Sequence, residues 1–177
     1  DAIAPRYKMY ALETLAERAI PDIRDGLKPV HLRILYCMYN DLNLTHSHKT
    51  IKSAKVSGAV MGSYHPHGDS YPTMVGMAQP WNMRYPIIEI QGNLGNIDGD
   101  PAAASRYTEC RLTKYGEMMM ANIDKNVVDT RPTYDDTSVE PVVAPTLIAN
   151  YLLNSVSGIA CGFSTNSASH NLTEVYN

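Results

Sequence analysis

The chain alternates between stretches whose apolar residues recur at helical spacing and short breaks rich in polar residues, glycine or proline. Leu12, Leu15, Ala16 and Ala19 fall on one side of a helix, so an amphipathic helix is predicted over residues 6–19, ended by Pro21. Pro21-Asp-Ile-Arg-Asp-Gly26 has the composition of a turn. Pro29 suits the first position of a second helix, with Leu35, Met38, Tyr39 and Leu42 as its buried face, and the polar residues 41–49 form a loop. A third helix is expected over 51–62, where Ala54 and Gly58 permit close packing. A short fourth is expected over 71–79, with Met74, Met77 and Ala78 on one side. Tyr85-Pro-Ile-Ile-Glu-Ile90 is rich in strand formers, and the glycines after it suit a turn or wing. Leu112, Tyr115, Gly116 and Met119 place another helix over 109–122. Val127–Thr130 and Val139–Ala144 read as short strands separated by the acidic turn Tyr134-Asp-Asp-Thr137.

Two short helices joined by Ser63-Tyr-His-Pro-His-Gly-Asp69 make a helix-turn-helix pattern. With the β-wing that follows, the expected fold class is α+β, a winged-helix domain. A length of 177 residues fits one domain, or one domain and part of a second. No apolar run approaches the eighteen or so residues of a membrane span, and no charged-then-apolar leader opens the chain. Cys37, Cys110 and Cys161 are widely spaced and odd in number, which suits reduced thiols in a cytoplasmic protein better than a disulfide frame.

Charge changes the picture more than composition does. The net charge of −3 argues mildly against a nucleic-acid partner, but it hides a gradient. Residues 1–60 carry nine Lys/Arg against six Asp/Glu, residues 61–114 four against five, and residues 115–177 two against seven. Phosphates would therefore be held by the first third, while the acidic last third faces solvent or another protein.

Several residues could carry chemistry. Arg106 stands directly beside Tyr107. A phenol with a pKa near 10 is a poor nucleophile at neutral pH, and an adjacent guanidinium can stabilise both the phenolate and a phosphoryl transition state. An isolated Arg-Tyr pair is more often a packing tyrosine and a surface arginine. His65 and His67 form a His-x-His pair that nothing nearby completes into a zinc set. Asp98 and Asp100 could suggest Mg²⁺, but Gly99 and Pro101 make a turn the more economical reading.

Taken in order, Arg18-Ala-Ile-Pro-Asp-Ile-Arg-Asp-Gly-Leu-Lys-Pro-Val-His31, Tyr64-His-Pro-His-Gly-Asp-Ser70, Gln91-Gly-Asn-Leu-Gly-Asn-Ile-Asp-Gly-Asp100, the Arg106-Tyr107 run and Ser157-Gly-Ile-Ala160 resemble the A subunit of type IIA DNA topoisomerases, the bacterial gyrase and topoisomerase IV type. The resemblance covers nearly the whole chain. It implies a winged-helix breakage-reunion domain over residues 1–150 and the start of an α/β tower domain over 151–177, as a fragment of a longer protein. It makes Tyr107 the nucleophile that forms a 5′-phosphotyrosyl link to DNA, with Arg106, Arg18, His65 and His67 at the reacting phosphate. It places Lys28, His31, Arg33, Lys52, Lys55 and Ser70 on the DNA-facing side and makes Ile159 a wedge between base pairs. Its implied partners are double-stranded DNA, a B subunit with ATPase and TOPRIM domains, and a second copy of the A subunit. Mg²⁺ and ATP are expected through that B subunit, and no metal is expected on this chain.

The chain also departs from the family pattern. Leu32 stands where an arginine is usual, Ser63 where a lysine is usual, and Gly76 where another arginine is usual. Two residues are missing between Ser70 and Tyr71, and Pro72 replaces an aspartate. The nucleophilic set is kept while the recognition helix is altered. The alternative reading is therefore a non-catalytic DNA-binding or subunit-docking module.

Overall fold

The computed structural model of the chain describes residues 3–160 and 162–177; Cys161 and the side chains of Thr14, Ala16 and Glu17 lie outside what it describes. Helix α1 (Ile3–Thr14) runs into a π-type turn (Leu15–Ala19), so the first helical segment ends where Pro21 requires. Its expected buried face is only partly realised. Ala19 is buried, but Leu12 is exposed along with Ile3, Tyr7, Met9 and Tyr10. Helix α2 (Pro29–Tyr36) begins at its proline and also continues as a π turn, Cys37–Asp41. Leu35 and Met38 are fully buried, with Tyr39 and Leu42 packed at the edge of the core.

Two expected helices are corrected at their first residues. Ile51 and Lys52 form a short strand, β1 (Ile51–Lys52), and helix α3 (Ser53–Ser63) starts after it. Helix α4 (Tyr71–Ala78) matches its expected range and buries Met74, Met77 and Ala78. Residues 109–112, expected as helix, are instead strand β3 (Glu109–Leu112), antiparallel to β1 and to β2 (Ile88–Gln91) in the order β1-β3-β2. Cys110 and Leu112 point into the core and Glu109 and Arg111 outward, the period-two alternation of a half-buried strand. The helix starts one residue past the strand, as α5 (Lys114–Met119), because Thr113 caps it by accepting from the Gly116 amide at 3.0 Å.

The two later strands are shifted and shorter than expected, β4 (Thr130–Pro132) and β5 (Val139–Pro141), paired antiparallel around the 133–138 turn. After α6 (Asn150–Leu153), β6 (Ser157–Ala160) and β7 (Phe163–Asn166) pair as a hairpin, and α7 (Leu172–Tyr176) follows. Helices with small antiparallel sheets make an α+β fold. One continuous core joins α2, α3, α4, the three-stranded sheet and α5.

Two seams fix later segments onto the first thirty residues. The Asp25 carboxylate is buried and accepts from the Leu27 and Ala144 amides, while Asn150 Nδ2 donates to the Asp25 carbonyl at 2.8 Å. Gly26, at φ +68°, lies where a Cβ would come within 2.5 Å of the Tyr151 amide nitrogen, so only glycine serves there. The second seam is Gly158, where a Cβ would meet the Ala19 carbonyl oxygen at 2.0 Å. Strand β6 therefore lies directly on the π turn that carries Arg18.

Candidate nucleic-acid cleavage site

Tyr107 sits on a turn between the glycine-rich loop and β3, with its amide donating to the Ala104 carbonyl at 2.9 Å. The turn is pinned to the first turn of α3. Ser53 N donates to Thr108 O at 3.0 Å and Ala54 N to Ser105 O at 3.2 Å. Thr108 is fully buried; its hydroxyl donates to Ser53 Oγ at 2.8 Å and lies 3.0 Å from the Tyr71 hydroxyl, which itself donates to Ala103 O. With its neighbour anchored inward, Tyr107 projects outward and is 67% exposed. The Arg106 guanidinium carbon lies 4.6 Å from the Tyr107 ring centroid, a cation–π contact. A rigid turn thus presents a phenol to solvent with a fixed positive charge over its ring.

A second group forms at the other end of α3. Arg18, Arg33, His65 and His67 line one cavity of about 350 Å³, together with Tyr10, Glu13, Pro66 and Tyr134. The imidazoles of His65 and His67 meet edge to face at 5.1 Å. Arg33, expected to face DNA as a cation, is instead largely buried. Its guanidinium grips Glu140 through Nε at 2.9 Å and Nη2 at 2.9 Å, and Nη1 donates to His65 Nδ1 at 3.1 Å. Burial, then the charges of Arg33, His67 and Arg18, pull the His65 pKa down to about 4 against the opposing pull of Glu140. His65 is consequently neutral at pH 7.

The cavity and Tyr107 are separate features of one chain. Tyr107 and Arg106 are not among the residues that line the cavity. The eleven residues of α3 separate the pinned turn from His65 by about 16 Å at 1.5 Å per residue.

The remaining expected residues divide between two further places. Lys28 and His31 line a third surface, a cavity of about 350 Å³ beside α4 and β6 that also includes Gly76 and Ser157. Burial lowers the pKa of Lys28, and burial with the Lys28 charge takes His31 down to about 4. Lys52 and Lys55 are exposed near the Tyr107 turn, and Lys52 Nζ is 3.1 Å from Glu109. Ile159 on β6 is 86% exposed, which removes the core role that its spacing alone would give it. Ser70 does not face outward as expected. It is 2% exposed, and its hydroxyl and amide lie against Ser57 Oγ at 3.1 and 3.2 Å. With no residue between Ser70 and Tyr71-Pro72, this serine packs into the α3–α4 angle.

Sequence reasoning missed Glu140, Tyr134, Tyr10 and Glu13. Glu140 alone carried a signal: a single acid inside the apolar run Val139–Ala144 needs a cationic partner when the run is buried. Among the described residues, no group of three or more His, Cys, Asp or Glu gathers to hold a metal ion. Asp98 and Asp100 belong to a turn built on Asn96, whose Oδ1 accepts both of their amides at 3.0 Å. No helix among the described residues is long and apolar enough to cross a membrane.

A pinned, exposed Arg-Tyr pair and a separate Arg/His cleft thus stand on one helix-rich α+β scaffold. The model of the DNA gyrase/topoisomerase IV family, in its A subunit, matches residues 18–177, and the chain belongs to that family. It is 53% identical over 170 residues to the A subunit of a DNA gyrase from Deinococcus deserti, covering 95% of this chain and 21% of that protein. It is 52% identical to the A subunit of the DNA gyrase from Thermotoga maritima, covering 98% of this chain and 22% of that protein. It is 51% identical to the A subunit of a DNA topoisomerase 4 from Rickettsia felis, covering 99% of this chain and 24% of that protein. The chain thus spans between a fifth and a quarter of the length of these relatives.

Proposed function

We propose that the chain is the DNA-breaking part of the A subunit of a type IIA topoisomerase and that Tyr107 is its nucleophile. The observation that carries this reading is the Tyr107 turn: an exposed phenol, held at its backbone, with Arg106 over its ring. The Tyr107 hydroxyl gives up its proton to solvent as its oxygen bonds to a DNA phosphorus, the 3′-oxygen leaves with the bonding pair and takes up a proton, and the 5′ end stays on the tyrosine. Reversal of the same step reseals the strand. Arg106 and Arg18 offset the charge that grows on the phosphoryl oxygens. His65, neutral at pH 7, serves as a hydrogen-bond donor and not as a charged acid.

Because Tyr107 does not line the Arg/His cleft of its own chain, the proposed assembly is a dimer of A subunits in which the cleft of one copy meets the phosphate attacked by the tyrosine of the other. Helices α3 and α4 with the β1-β3-β2 sheet are read as the helix-turn-helix and wing that lie on the duplex, over residues 1–150. Residues 151–177 are read as the beginning of the tower. Exposed Lys52 and Lys55 contact the DNA backbone, the Lys28–His31 cavity lies beside it, and Ile159 enters the stack. Mg²⁺ and ATP are assigned to a B subunit that works with this chain in the cytoplasm. Neither enters the steps assigned to residues of this chain.

The test is a full-length A subunit in which this chain replaces the equivalent region, assembled with a matched B subunit on end-labelled DNA and quenched with denaturant. Protein linked to the 5′ end of cleaved DNA is the expected result. No adduct, with DNA binding retained, would favour the non-catalytic binding module instead.

A further inference from the structure

Glu140 lies on β5, 107 positions from Arg33 in sequence, yet it is at the centre of the cleft's polar framework. The residue is 2% exposed and accepts four N–H contacts. Arg33 supplies three, from Nε to both carboxylate oxygens at 3.2 and 2.9 Å and from Nη2 at 2.9 Å. Arg131 Nε supplies the fourth at 2.8 Å. This fork-on-fork pairing fixes the plane of the Arg33 guanidinium. It thereby fixes the direction of the one remaining terminal nitrogen, Nη1, which reaches His65 Nδ1 at 3.1 Å. The strand that carries Glu140 is itself held over the cleft, because the Tyr134 hydroxyl, on the same hairpin, donates to the Gly62 carbonyl at 2.9 Å, three residues before His65.

An arginine can only donate. A histidine nitrogen that meets Arg33 Nη1 must therefore present its lone pair, and the ring proton of neutral His65 must sit on Nε2. We propose that Glu140 is a positioning residue for the cleft: by clamping Arg33 it holds His65 in the Nε2–H tautomer, so that the nitrogen away from Arg33 donates to the substrate phosphate or its leaving oxygen. This rests on the reading of His65 as a donor at the reacting phosphate. The depressed His65 pKa agrees with it, since a neutral ring is needed for a tautomer to be selected at all. Among the described residues, Arg33, His67 and Arg18 act against protonation of that ring and Glu140 for it, and Tyr10, Glu13 and Tyr134 line the same cavity.

The experiment is long-range proton–nitrogen correlation NMR of the 177-residue chain with labelled histidine, with His65 identified by loss of its signal in His65→Gln. In the wild type at pH 7, His65 is expected as a single Nε2–H tautomer; an Nδ1–H ring would overturn the proposal without need of any variant. Glu140→Gln keeps the shape and removes the charge. Arg33 should then release the ring, giving a mixture of Nδ1–H and Nε2–H tautomers at pH 7. Retention of the single tautomer would show that Arg33 stays in place without Glu140 and would also overturn it. Glu140→Asp should restore the single tautomer in part, which a loss of packing alone would not do. Since these signals need neither DNA nor turnover, an enzyme that forms no adduct would defeat the reading of Tyr107 and leave the tautomer result standing.

Discussion

Gly158→Ala tests whether β6 is seated on the π turn as closely as the fold requires. The added Cβ would lie 2.0 Å from the Ala19 carbonyl oxygen, 3.0 Å from its carbon and 2.9 Å from Thr165 Oγ1. The threonine can rotate away, but the carbonyl belongs to backbone that is itself tied into the turn. To reach an ordinary contact of about 3.4 Å the two backbones must separate by more than about 1 Å, the kind of overpacking that costs about 1–3 kcal/mol. For a chain of this size each kcal/mol lowers the melting temperature by about 2–4 °C, so a fall of about 2–12 °C is expected. The same shift moves Arg18, next to Ala19, relative to Ile159, next to Gly158. A chimaeric A subunit carrying the substitution should therefore bend and cleave DNA less well than its melting temperature alone would suggest. Urea denaturation and thermal melting give the stability, and a bend-dependent gel shift gives the second effect. A change in stability within about 0.5 kcal/mol, the range of ordinary surface substitutions, would refute the close approach.

Tyr107→Phe should leave the melting temperature within the scatter of surface substitutions, because the side chain is exposed, and should abolish covalent adduct; adduct that persists in the variant assigns the chemistry elsewhere. Ile159→Ala should likewise change stability by less than about 0.5 kcal/mol while reducing the DNA bend, whereas a loss of about 2–5 kcal/mol would mark a buried side chain. Asp25 gives an unusual pH dependence. Burial raises its pKa to about 6, against the bonds from the Ala144 and Leu27 amides, so the folded chain holds this proton more tightly than the unfolded one. Its contribution to stability is therefore largest below about pH 4 and declines as the pH rises to about 6, by roughly 3 kcal/mol in all. Subtracting the pH–stability curve of Asp25→Asn from that of the wild type should reveal this decline, and a difference curve that is flat from pH 4 to 7 would contradict it.

The parts legible in the sequence are those set by local rules. Proline fixes the end of the first helical segment and the start of the second, and the Met74–Met77–Ala78 spacing gives α4 its buried side. The helix expected over 109–122 shows how a local rule misleads. Leu112 belongs to a strand and Tyr115, Gly116 and Met119 to a helix, and their spacing is helical only because Thr113 joins the two elements in one residue. The competing signal, alternation along Glu109-Cys110-Arg111-Leu112, is only four residues long. For the site, the resemblance set Arg18, His65 and His67 together, and the structure places them around one cleft. That Tyr107 stands apart from this cleft and that Ser70 is buried depend on how the tyrosine turn, α3 and α4 pack. The Arg33–Glu140 pair bridges 107 positions, and no periodicity reports a contact of that range.

Helix α3 makes the separation between the tyrosine turn and the histidine cleft a matter of residue count. Both ends are fastened, one by Ser53 and Ala54 to the Tyr107 turn, the other by the His65 amide to the Val60 carbonyl at 2.8 Å. One residue inserted between them would advance the cleft by about 1.5 Å and swing it by about 100° around the helix axis. Such a change would leave each half of the chemistry intact and aim them differently. The two ends are thus geared together. Length changes in this chain are compatible with that gearing only outside Ser53–Ser63.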